Sequence, residues 1–303
     1  MQKSSKIWLN GDLVDWDQAK IHVLTHGLHY GTGVFEGIRC YETSEGTVIF
    51  RLQEHVKRLF NSAKIYMMEM RYGFDDIYDA IILTVKSNSV PDCYVRPIAY
   101  YGYGKMGVTP LNKVDIAIAV WKWDEYLNSG SKEGIRCMVS SWRRIDSRTM
   151  PLQAKATANY ANSVLARIEA LKAGYDEGIM LNVDGMVAES SAENIFMVRD
   201  GMVITPPTTA GALAGITRDS VLEIMKQDNI PYQIADITRD ELYTADEVFI
   251  TGTAAGMRPV IEIDKRMVAN GELGSITKEL QCLYEEVVRG RDRRFSKWLA
   301  HVK

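Results

Sequence analysis

The residue with the clearest chemical potential is Lys155, in the stretch Pro151-Leu152-Gln153-Ala154-Lys155-Ala156-Thr157, where no other residue is charged. Burial of a lysine disfavours its ammonium form and lowers its pKa, and the resulting free amine can form a Schiff base with an aldehyde. An ordinary lysine in a surface turn has the same local composition. The stretch by itself therefore leaves both interpretations open.

Three histidines form a second candidate site. The spacing of His22, His26 and His29 would place three imidazole rings on one face of a helix, as a metal site requires. Gly27 interrupts the run, and neither an HExxH motif nor a nearby carboxylate completes a hydrolytic zinc site. A metal hydrolase is therefore the weaker interpretation, and no metal is predicted.

A glycine-rich segment at residues 102–107 matches the pattern GxGxxG. A dinucleotide fingerprint requires a following helix whose N-terminus holds the pyrophosphate. The residues Val108-Thr109-Pro110 lead into a predicted strand instead. The segment is better interpreted as a loop that lines a site, which leaves a cofactor-free binding protein as one alternative function.

Composition excludes several classes of partner. The chain has 303 residues with 36 Lys and Arg against 39 Asp and Glu, so no broad positive surface favours nucleic acid or an anionic membrane. No apolar run approaches the ~20 residues that span a bilayer, and the N-terminus shows no targeting segment. These features predict a cytoplasmic protein with a small-molecule partner. Four widely separated cysteines are expected to be free thiols: Cys40, Cys93, Cys137 and Cys282.

Hydrophobic periodicity predicts the elements that position these residues. Residues 6–15 predict a hairpin that turns at Asn10-Gly11, and residues 52–68 predict a helix with one apolar face. A helix is expected at 157–173, directly after Lys155. Residues 178–204 predict a β-meander. The chain therefore alternates strands and helices, which indicates an α+β fold.

The pattern lapses in the polar stretch 122–133, which is typical of a segment that crosses between domains. We therefore expect a small α+β domain at 1–124, a linker at 125–134 and a larger α/β domain at 135–303. The larger domain would carry Lys155.

A longer pattern decides between the interpretations of Lys155. The stretch Val187-Ala188-Glu189-Ser190-Ser191-Ala192-Glu193-Asn194-Ile195-Phe196 resembles the signature of the fold type IV pyridoxal-phosphate enzymes. Within them the sequence resembles the branched-chain amino acid aminotransferases from Lys6 to about Glu286. The other matching motifs occur in the same order as in that family: His29-Tyr30-Gly31-Thr32-Gly33-Val34-Phe35-Glu36-Gly37-Ile38-Arg39, Glu54-His55-Val56-Lys57-Arg58-Leu59, Tyr94-Val95-Arg96-Pro97, Lys105-Met106-Gly107-Val108, Gly215-Ile216-Thr217-Arg218 and Thr251-Gly252-Thr253-Ala254-Ala255.

The resemblance implies two mixed α/β domains of the D-amino acid aminotransferase-like kind, with pyridoxal 5′-phosphate at the domain interface. Lys155 would form the Schiff base with this cofactor and move a proton between the substrate Cα and the cofactor C4′. Glu189 would face the pyridine nitrogen, where a carboxylate favours the protonated ring. The resemblance assigns the other contacts, to the 3′-oxygen, the ring face and the phosphate, to Tyr160, Leu213, Arg58, Ile216, Thr217 and Thr253.

The same resemblance implies one pocket for two kinds of substrate side chain, aliphatic and acidic. Arg96 would bind the side-chain carboxylate of glutamate, and aromatic walls would bury aliphatic side chains. The α-carboxylate would bind Tyr94 and the backbone N–H groups of Thr253 and Ala254. The remaining pocket residues implied by the resemblance are Tyr30, Phe35, Gly37, Met106, Val108, Trp123, Tyr126 and Ala255.

The implied reaction is a ping-pong transfer of an amino group between L-leucine, L-isoleucine or L-valine and 2-oxoglutarate, as in the biosynthesis of these amino acids. A homodimer is implied as the minimum assembly, because the Met106–Val108 loop reaches the neighbouring subunit in this family, and a trimer of dimers is left open. A D-amino acid or (R)-amine transaminase of the same fold is the nearest alternative. A cofactor-free binding protein and a metal hydrolase are the alternatives outside the family.

Overall fold

The structure is a computed structural model that describes residues 3–108, 111–123 and 134–302. It contains two compact units, each with its own sheet. Unit 1 comprises Met1–Asp124, Gln153–Ala158 and Val287–Lys303, and unit 2 comprises Glu125–Leu152 and Asn159–Glu286. Among the described residues, no helix is long and apolar enough to cross a membrane.

The described residues of unit 1 form antiparallel strands and three α-helices. The strands are β1 (Lys6–Leu9), β2 (Asp12–Asp15), β3 (Gly33–Phe35), β4 (Ile38–Thr43), β5 (Gly46–Phe50), β6 (Cys93–Tyr101) and β7 (Val114–Lys122). The helices are α1 (His26–Tyr30), α2 (Leu52–Ile65) and α3 (Phe74–Asn88). These elements and the core between them confirm an α+β organisation.

Local sequence explains two of these elements well. Asn10 and Gly11 have φ values of 50° and 110°, the left-handed geometry that a tight hairpin turn requires, so the hairpin at 6–15 is confirmed. Helix α2 buries Leu52, Val56 and Leu59 on one face, as predicted. It ends earlier than expected, because Met67 has a φ of 55° and cannot continue a right-handed helix.

The described residues of unit 2 contain nine strands. These strands form one sheet in the order β10-β9-β8-β15-β14-β11-β12-β13, with β16 beside β15. The strands are β8 (Ile135–Val139), β9 (Glu177–Leu181), β10 (Val187–Ser190), β11 (Asn194–Arg199), β12 (Met202–Thr205), β13 (Tyr232–Ile234), β14 (Glu247–Gly252), β15 (Gly256–Ile263) and β16 (Arg266–Met267). The helices are α4 (Asn159–Lys172), α5 (Ile216–Gln227), α6 (Arg239–Tyr243) and α7 (Ser275–Val288). The last strand, β17 (Leu299–His301), pairs with β5 in unit 1.

The predicted meander at 178–204 is wrong at its centre. Strands β9 and β10 form one antiparallel hairpin and β11 and β12 form another, but β10 and β11 are not neighbours in the sheet. The reason is that β11 pairs with β14 along its whole first part, from Asn194 opposite Thr251 to Val198 opposite Glu247. Strand β14, which is distant in sequence, therefore pairs with the edge of β11 that β10 was expected to occupy.

The compact units divide the chain differently from the predicted linear domains. Residues 153–158, including Lys155, belong to unit 1, because Ala154 and Ala156 are buried in the unit 1 core. The predicted domains 1–124 and 135–303 stay a prediction, and the linker 125–134 lies outside the described residues apart from Gly134.

Candidate functional site

The backbone around Lys155 is held firmly in unit 1. The Phe35 N–H donates to the Lys155 carbonyl oxygen at 3.0 Å, and the Lys155 N–H donates to Ser62 Oγ at 3.0 Å. The half-buried Lys155 side chain places Nζ 5.2 Å from the centroid of the Phe35 ring. Its two alanine neighbours are buried, so the backbone on both sides of Lys155 is fixed while the amine remains partly exposed.

Arg58, the predicted phosphate ligand, is oriented by a carboxylate. Its Nε donates to Glu36 Oε1 at 2.6 Å and its Nη2 donates to Glu36 Oε2 at 2.8 Å. His55 Nδ1 donates to the same Oε2 at 2.7 Å. Burial alone raises the pKa of the fully buried Glu36, but Arg58 and His55 outweigh it and hold that pKa well below its usual range. Burial also lowers the pKa of His55, so the ion pair is Glu36 with Arg58.

The predicted substrate pocket residues of unit 1 gather around Arg96. Its guanidinium lies 4.8 Å from the Phe35 ring centroid and 5.4 Å from that of Tyr94, and its Nη2 donates to the Tyr94 hydroxyl at 3.3 Å. Arg96 Nε is buried and has no hydrogen-bond partner within the described part of the chain. A buried donor without a protein partner leaves room for an acceptor from a water, an ion or a ligand.

Gly37 makes room for Tyr94. A Cβ at Gly37 would collide with the Tyr94 hydroxyl oxygen, so only glycine allows the tyrosine to occupy this position. Trp123 stacks on Tyr94 with ring centroids 4.6 Å apart, and the Arg39 guanidinium lies 5.3 Å from the Trp123 ring. The structure therefore brings Gly37, Tyr94, Arg96 and Trp123 together in unit 1, as the substrate assignment requires.

Three other predicted pocket residues lie on the surface of unit 1. Tyr30, Met106 and Val108 are 40%, 41% and 86% exposed. Tyr30 ends helix α1, and the loop that carries Met106 and Val108 is anchored by His26, whose Nε2 lies 2.8 Å from the Gly107 carbonyl oxygen. Tyr126, another predicted wall residue, lies outside the described residues.

The three histidines that were considered for a metal site each make contacts with different residues. His26 Nδ1 also hydrogen-bonds Thr32 Oγ1 at 2.7 Å, His29 Nε2 hydrogen-bonds the Val23 carbonyl oxygen at 2.8 Å, and His22 packs on the Tyr103 ring. No group of three or more metal-ligating side chains occurs in residues 3–108, 111–123 and 134–302.

In unit 2, Glu189 is a buried carboxylate with three partners. Arg144 Nη2 lies 2.9 Å from Glu189 Oε1, and both side chains are only 6% exposed. The Leu213 N–H and Asn194 Nδ2 donate to Glu189 Oε2 at 3.0 and 3.3 Å. The pairing with Arg144 and the two N–H donors match a carboxylate, which is the kind of group that a partner of a pyridine nitrogen requires.

The remaining predicted cofactor ligands of unit 2 lie at element ends. Ile216 and Thr217 form the first turn of α5, where Gly215 provides no capping side chain, so backbone N–H groups and the helix dipole favour an anion. Thr253, Ala254 and Ala255 form the turn between β14 and β15. The other two predicted ligands in this unit, Tyr160 at the start of α4 and Leu213 in the loop before α5, are half-buried.

Each unit separately presents groups of the kind that pyridoxal phosphate requires. Lys155 supplies a tethered amine, Arg58 an oriented cation for a phosphate, Glu189 a buried carboxylate and the start of α5 an uncapped set of N–H donors. Each of these groups matches one demand of the cofactor: its aldehyde, its phosphate or its ring nitrogen.

The residues that hold these groups in place were not predicted from the sequence. Glu36 and His55 stand in motifs that were recognised, yet neither was given a role, and Arg144 and Asn194 were not considered as partners of Glu189. One signal was available, because Glu36 is the only charged residue between Gly31 and Ile38. A charge inside such an apolar stretch usually has a partner.

Comparisons with known proteins identify the family of this chain. The family of class IV amino-transferases matches residues 33–263. The branched-chain-amino-acid aminotransferase of Escherichia coli (strain K12) is 42% identical over 304 residues, which cover 99% of this chain and 98% of that protein. The crystal structure of the T.th. branched-chain amino acid aminotransferase complexed with N-(5′-phosphopyridoxyl)-L-glutamate has a TM-score of 0.95 and 44% identity, and it covers 100% of both chains.

A third relative is the branched-chain aminotransferase from Thermoproteus uzoniensis with norvaline, which has a TM-score of 0.94 and 43% identity over 99% of this chain and 100% of that one. The chain therefore belongs to the class IV aminotransferase family and has the fold type IV architecture. It is an aminotransferase whose cofactor is pyridoxal 5′-phosphate, and over nearly its whole length it is similar to branched-chain-amino-acid aminotransferases.

Proposed function

We propose that this enzyme transfers an amino group between L-leucine, L-isoleucine or L-valine and 2-oxoglutarate, by a ping-pong mechanism with pyridoxal and pyridoxamine forms of the cofactor. The names of relatives 42% identical over nearly the full chain support the branched-chain substrates. The glutamate-bearing and norvaline ligands of two relatives support a pocket that accepts both an acidic and an aliphatic side chain.

The observation that carries the proposal is the state of Arg96. This residue combines a buried Nε that lacks a hydrogen-bond partner among the described residues with contacts to three aromatic rings, those of Phe35, Tyr94 and Trp121. The guanidinium can bind the side-chain carboxylate of glutamate, and the rings can bury an aliphatic side chain when no carboxylate is present. One pocket can thus serve both half-reactions.

The bound cofactor supplies an electron sink for the carbanion that forms at the substrate Cα. We assign Lys155 to hold the cofactor and to move the proton between the substrate Cα and the cofactor C4′. Glu189, which is paired with Arg144, would face the ring nitrogen and favour its protonated form. Tyr160 donates to the 3′-oxygen, and Leu213 packs on the ring face.

The phosphate contacts in the proposal come from side chains and from backbone. Arg58, already oriented by Glu36, provides the cation, while Ile216 and Thr217 provide donors at the start of α5. Thr253 adds a hydroxyl donor from the turn between β14 and β15.

The substrate α-carboxylate is assigned to the Tyr94 hydroxyl and to the backbone N–H groups of the 253–255 turn. Gly37 is part of this arrangement because it admits the Tyr94 hydroxyl. The proposed apolar walls are Phe35 and Trp123 from the Arg96 cluster, with Tyr30, Met106, Val108 and Tyr126 completing the pocket.

The exposed surface of unit 1 supports a homodimer as the minimum assembly. Apolar side chains are concentrated in two neighbouring segments, which are joined by a bridge between Thr25 and Tyr103. Large exposed apolar patches mark interaction sites, which makes these segments candidates for a subunit contact. The exposed residues of these segments are Ile21, Val23, Leu24, Leu28, Tyr30, Tyr103, Met106, Val108 and Leu111.

The free cysteines of the described chain are consistent with the proposed cytoplasmic location.

Two measurements test the proposal. The absorption spectrum of the holoenzyme is recorded before and after L-leucine and again after 2-oxoglutarate, and we expect the cofactor band to shift and then return. Reduction with borohydride followed by peptide mapping should place the cofactor on Lys155 alone. A label on Lys105 or Lys172 contradicts the site, and a spectrum that responds to D-amino acids but not to L-leucine contradicts the substrate assignment.

A further inference from the structure

Unit 2 contains a second pair of carboxyl groups, which the proposed mechanism does not use. Glu177 on β9 is fully buried, and Glu193, in the turn after β10, is only 3% exposed. Arg167 on α4 forms an ion pair with Glu177, and Glu177 also accepts the Gly178 N–H at 2.6 Å. Two buried carboxyl groups beside one arginine cannot both be ionised without a large cost.

Glu193 closes the turn whose two ends carry groups of the proposed site. The Ser190 N–H donates to the Glu193 carbonyl oxygen at 2.8 Å, and Ser190 Oγ lies 2.7 Å from Glu193 Oε2. The Glu193 N–H in turn donates to Ser190 Oγ at 3.1 Å. Ser190 directly follows Glu189, and Glu193 directly precedes Asn194, whose side-chain amide donates to Glu189. The bonds between Ser190 and Glu193 therefore set the distance between Glu189 and Asn194.

The same side chain supports the end of β14. A Cβ on Gly252 would lie only 3.0 Å from Glu193 Cγ, so the glutamate stem packs directly on the glycine. Gly252 leads into the 253–255 turn, which the proposed function assigns to the phosphate and the substrate carboxylate. Glu193 therefore contacts two of the segments of unit 2 that present proposed ligands: the turn after Glu189 and the end of β14.

We propose that Glu193 is a positioning residue of the reaction, held as an uncharged carboxylic acid, which keeps the turn between Glu189 and Asn194 and the end of β14 in their working geometry. This inference rests on the proposed role of Glu189. Ionisation of Glu193 places a second negative charge next to Glu177, and the repulsion displaces the turn that carries Glu189.

The electrostatics of the cluster set the pH at which this happens. Burial and the charge of Glu177 raise the pKa of Glu193, the Ser190 hydrogen bond and Arg167 act in the opposite direction, and the net result is a pKa of about 8. Cys137 on β8 and Asp176, which directly precedes Glu177, also lie in this surrounding, and burial raises the pKa of Cys137 as well. Glu193 is therefore uncharged at neutral pH and ionises in mild alkali.

The test uses Glu193→Gln, which has nearly the same volume and is neutral at every pH. For the wild-type holoenzyme, the single-turnover half-reaction with saturating L-leucine should fall about tenfold between pH 7 and pH 9, as expected for loss of one proton at about pH 8. The variant should change less than about twofold over the same range. An alkaline fall of the same size in both proteins overturns the proposal.

A second readout does not depend on catalysis. A carboxyl whose pKa rises on folding takes up a proton on folding, so the free energy of unfolding falls as the pH rises from about 4.3 to about 8 and is level above that. Glu193→Gln should remove this part of the pH dependence in chemical denaturation. If it does not, Glu193 is not the buried acid. If it does but the half-reaction is unchanged, the positioning role is refuted, whether or not the assignment of Glu189 holds.

The chain offers a matched control in Glu169 on α4, which is also bonded by serine side chains, Ser140 and Ser141, but whose pKa is lowered. Glu169→Gln should leave the pH dependence between pH 6 and pH 9 unchanged. Should Glu193→Gln not fold, Ser190→Ala replaces it. Removal of the Ser190 hydrogen bond should move the alkaline fall to higher pH, and an unmoved fall refutes the proposal.

Discussion

Replacement of Arg96 by alanine separates the two half-reactions, because only one substrate carries a side-chain carboxylate. The guanidinium of Arg96 has a buried Nε that no described residue satisfies, and glutamate or 2-oxoglutarate would supply the missing acceptor. Leucine and its keto acid have no group that could do so. Arg96→Ala should therefore weaken the reaction of the acidic pair far more than that of the aliphatic pair.

The size of each loss follows from the contacts. A hydrogen bond to a charged group contributes about 1.5–3 kcal/mol, so kcat/KM for glutamate and 2-oxoglutarate should fall about 10- to 150-fold. The aliphatic pair loses only the support that the Arg96 guanidinium gives to the rings of Phe35 and Tyr94, at 4.8 and 5.4 Å. That contribution is about 0.5–1 kcal/mol, or about two- to fivefold.

The assay must follow each half-reaction in a single turnover, since steady-state rates combine both substrates. Arg266→Ala is the matched control, because Arg266 is an exposed arginine that stacks on a tyrosine, Tyr243, at 4.5 Å in unit 2. It should change neither half-reaction. Equal losses for both substrate pairs in Arg96→Ala would refute the dual recognition and would mean that Arg96 binds the common α-carboxylate or only supports the fold.

Three further substitutions test other parts of the site. Glu189→Gln keeps the Leu213 hydrogen bond but removes the charge, so cofactor should stay bound while the single-turnover rate falls about 10²–10³-fold, and an unchanged rate removes Glu189 from its role. Glu36→Gln breaks the ion pair with Arg58, so chemical denaturation should show a loss of about 3–5 kcal/mol in the free energy of unfolding. Cofactor binding should also weaken. Unaltered cofactor binding would mean that Arg58 does not bind the phosphate. Gly37→Ala displaces the Tyr94 hydroxyl, so KM should rise for both substrate pairs, and a rise for one pair alone would contradict a shared α-carboxylate site.

The local sequence determined those features that depend on neighbours along the chain. The Asn10-Gly11 hairpin, the apolar face of α2 and the helix after Lys155 follow from turn chemistry and periodicity, and the structure confirms them. The class of enzyme also came from the sequence, because several short motifs in one order are a far stronger signal than any single residue. Lys155 was ambiguous by composition and was decided by those motifs.

Tertiary structure alone decided which side chains hold the reactive ones. Glu36 and Arg58 lie 22 residues apart, and Arg144 and Glu189 lie 45 residues apart, and no periodic pattern connects either pair. The pairing of β11 with β14, and the place of Lys155 in the core of unit 1, likewise depend on contacts distant in sequence. The physical reason is that a buried charge is stable only beside a partner in space, and the chain order does not specify which partner folding brings to it.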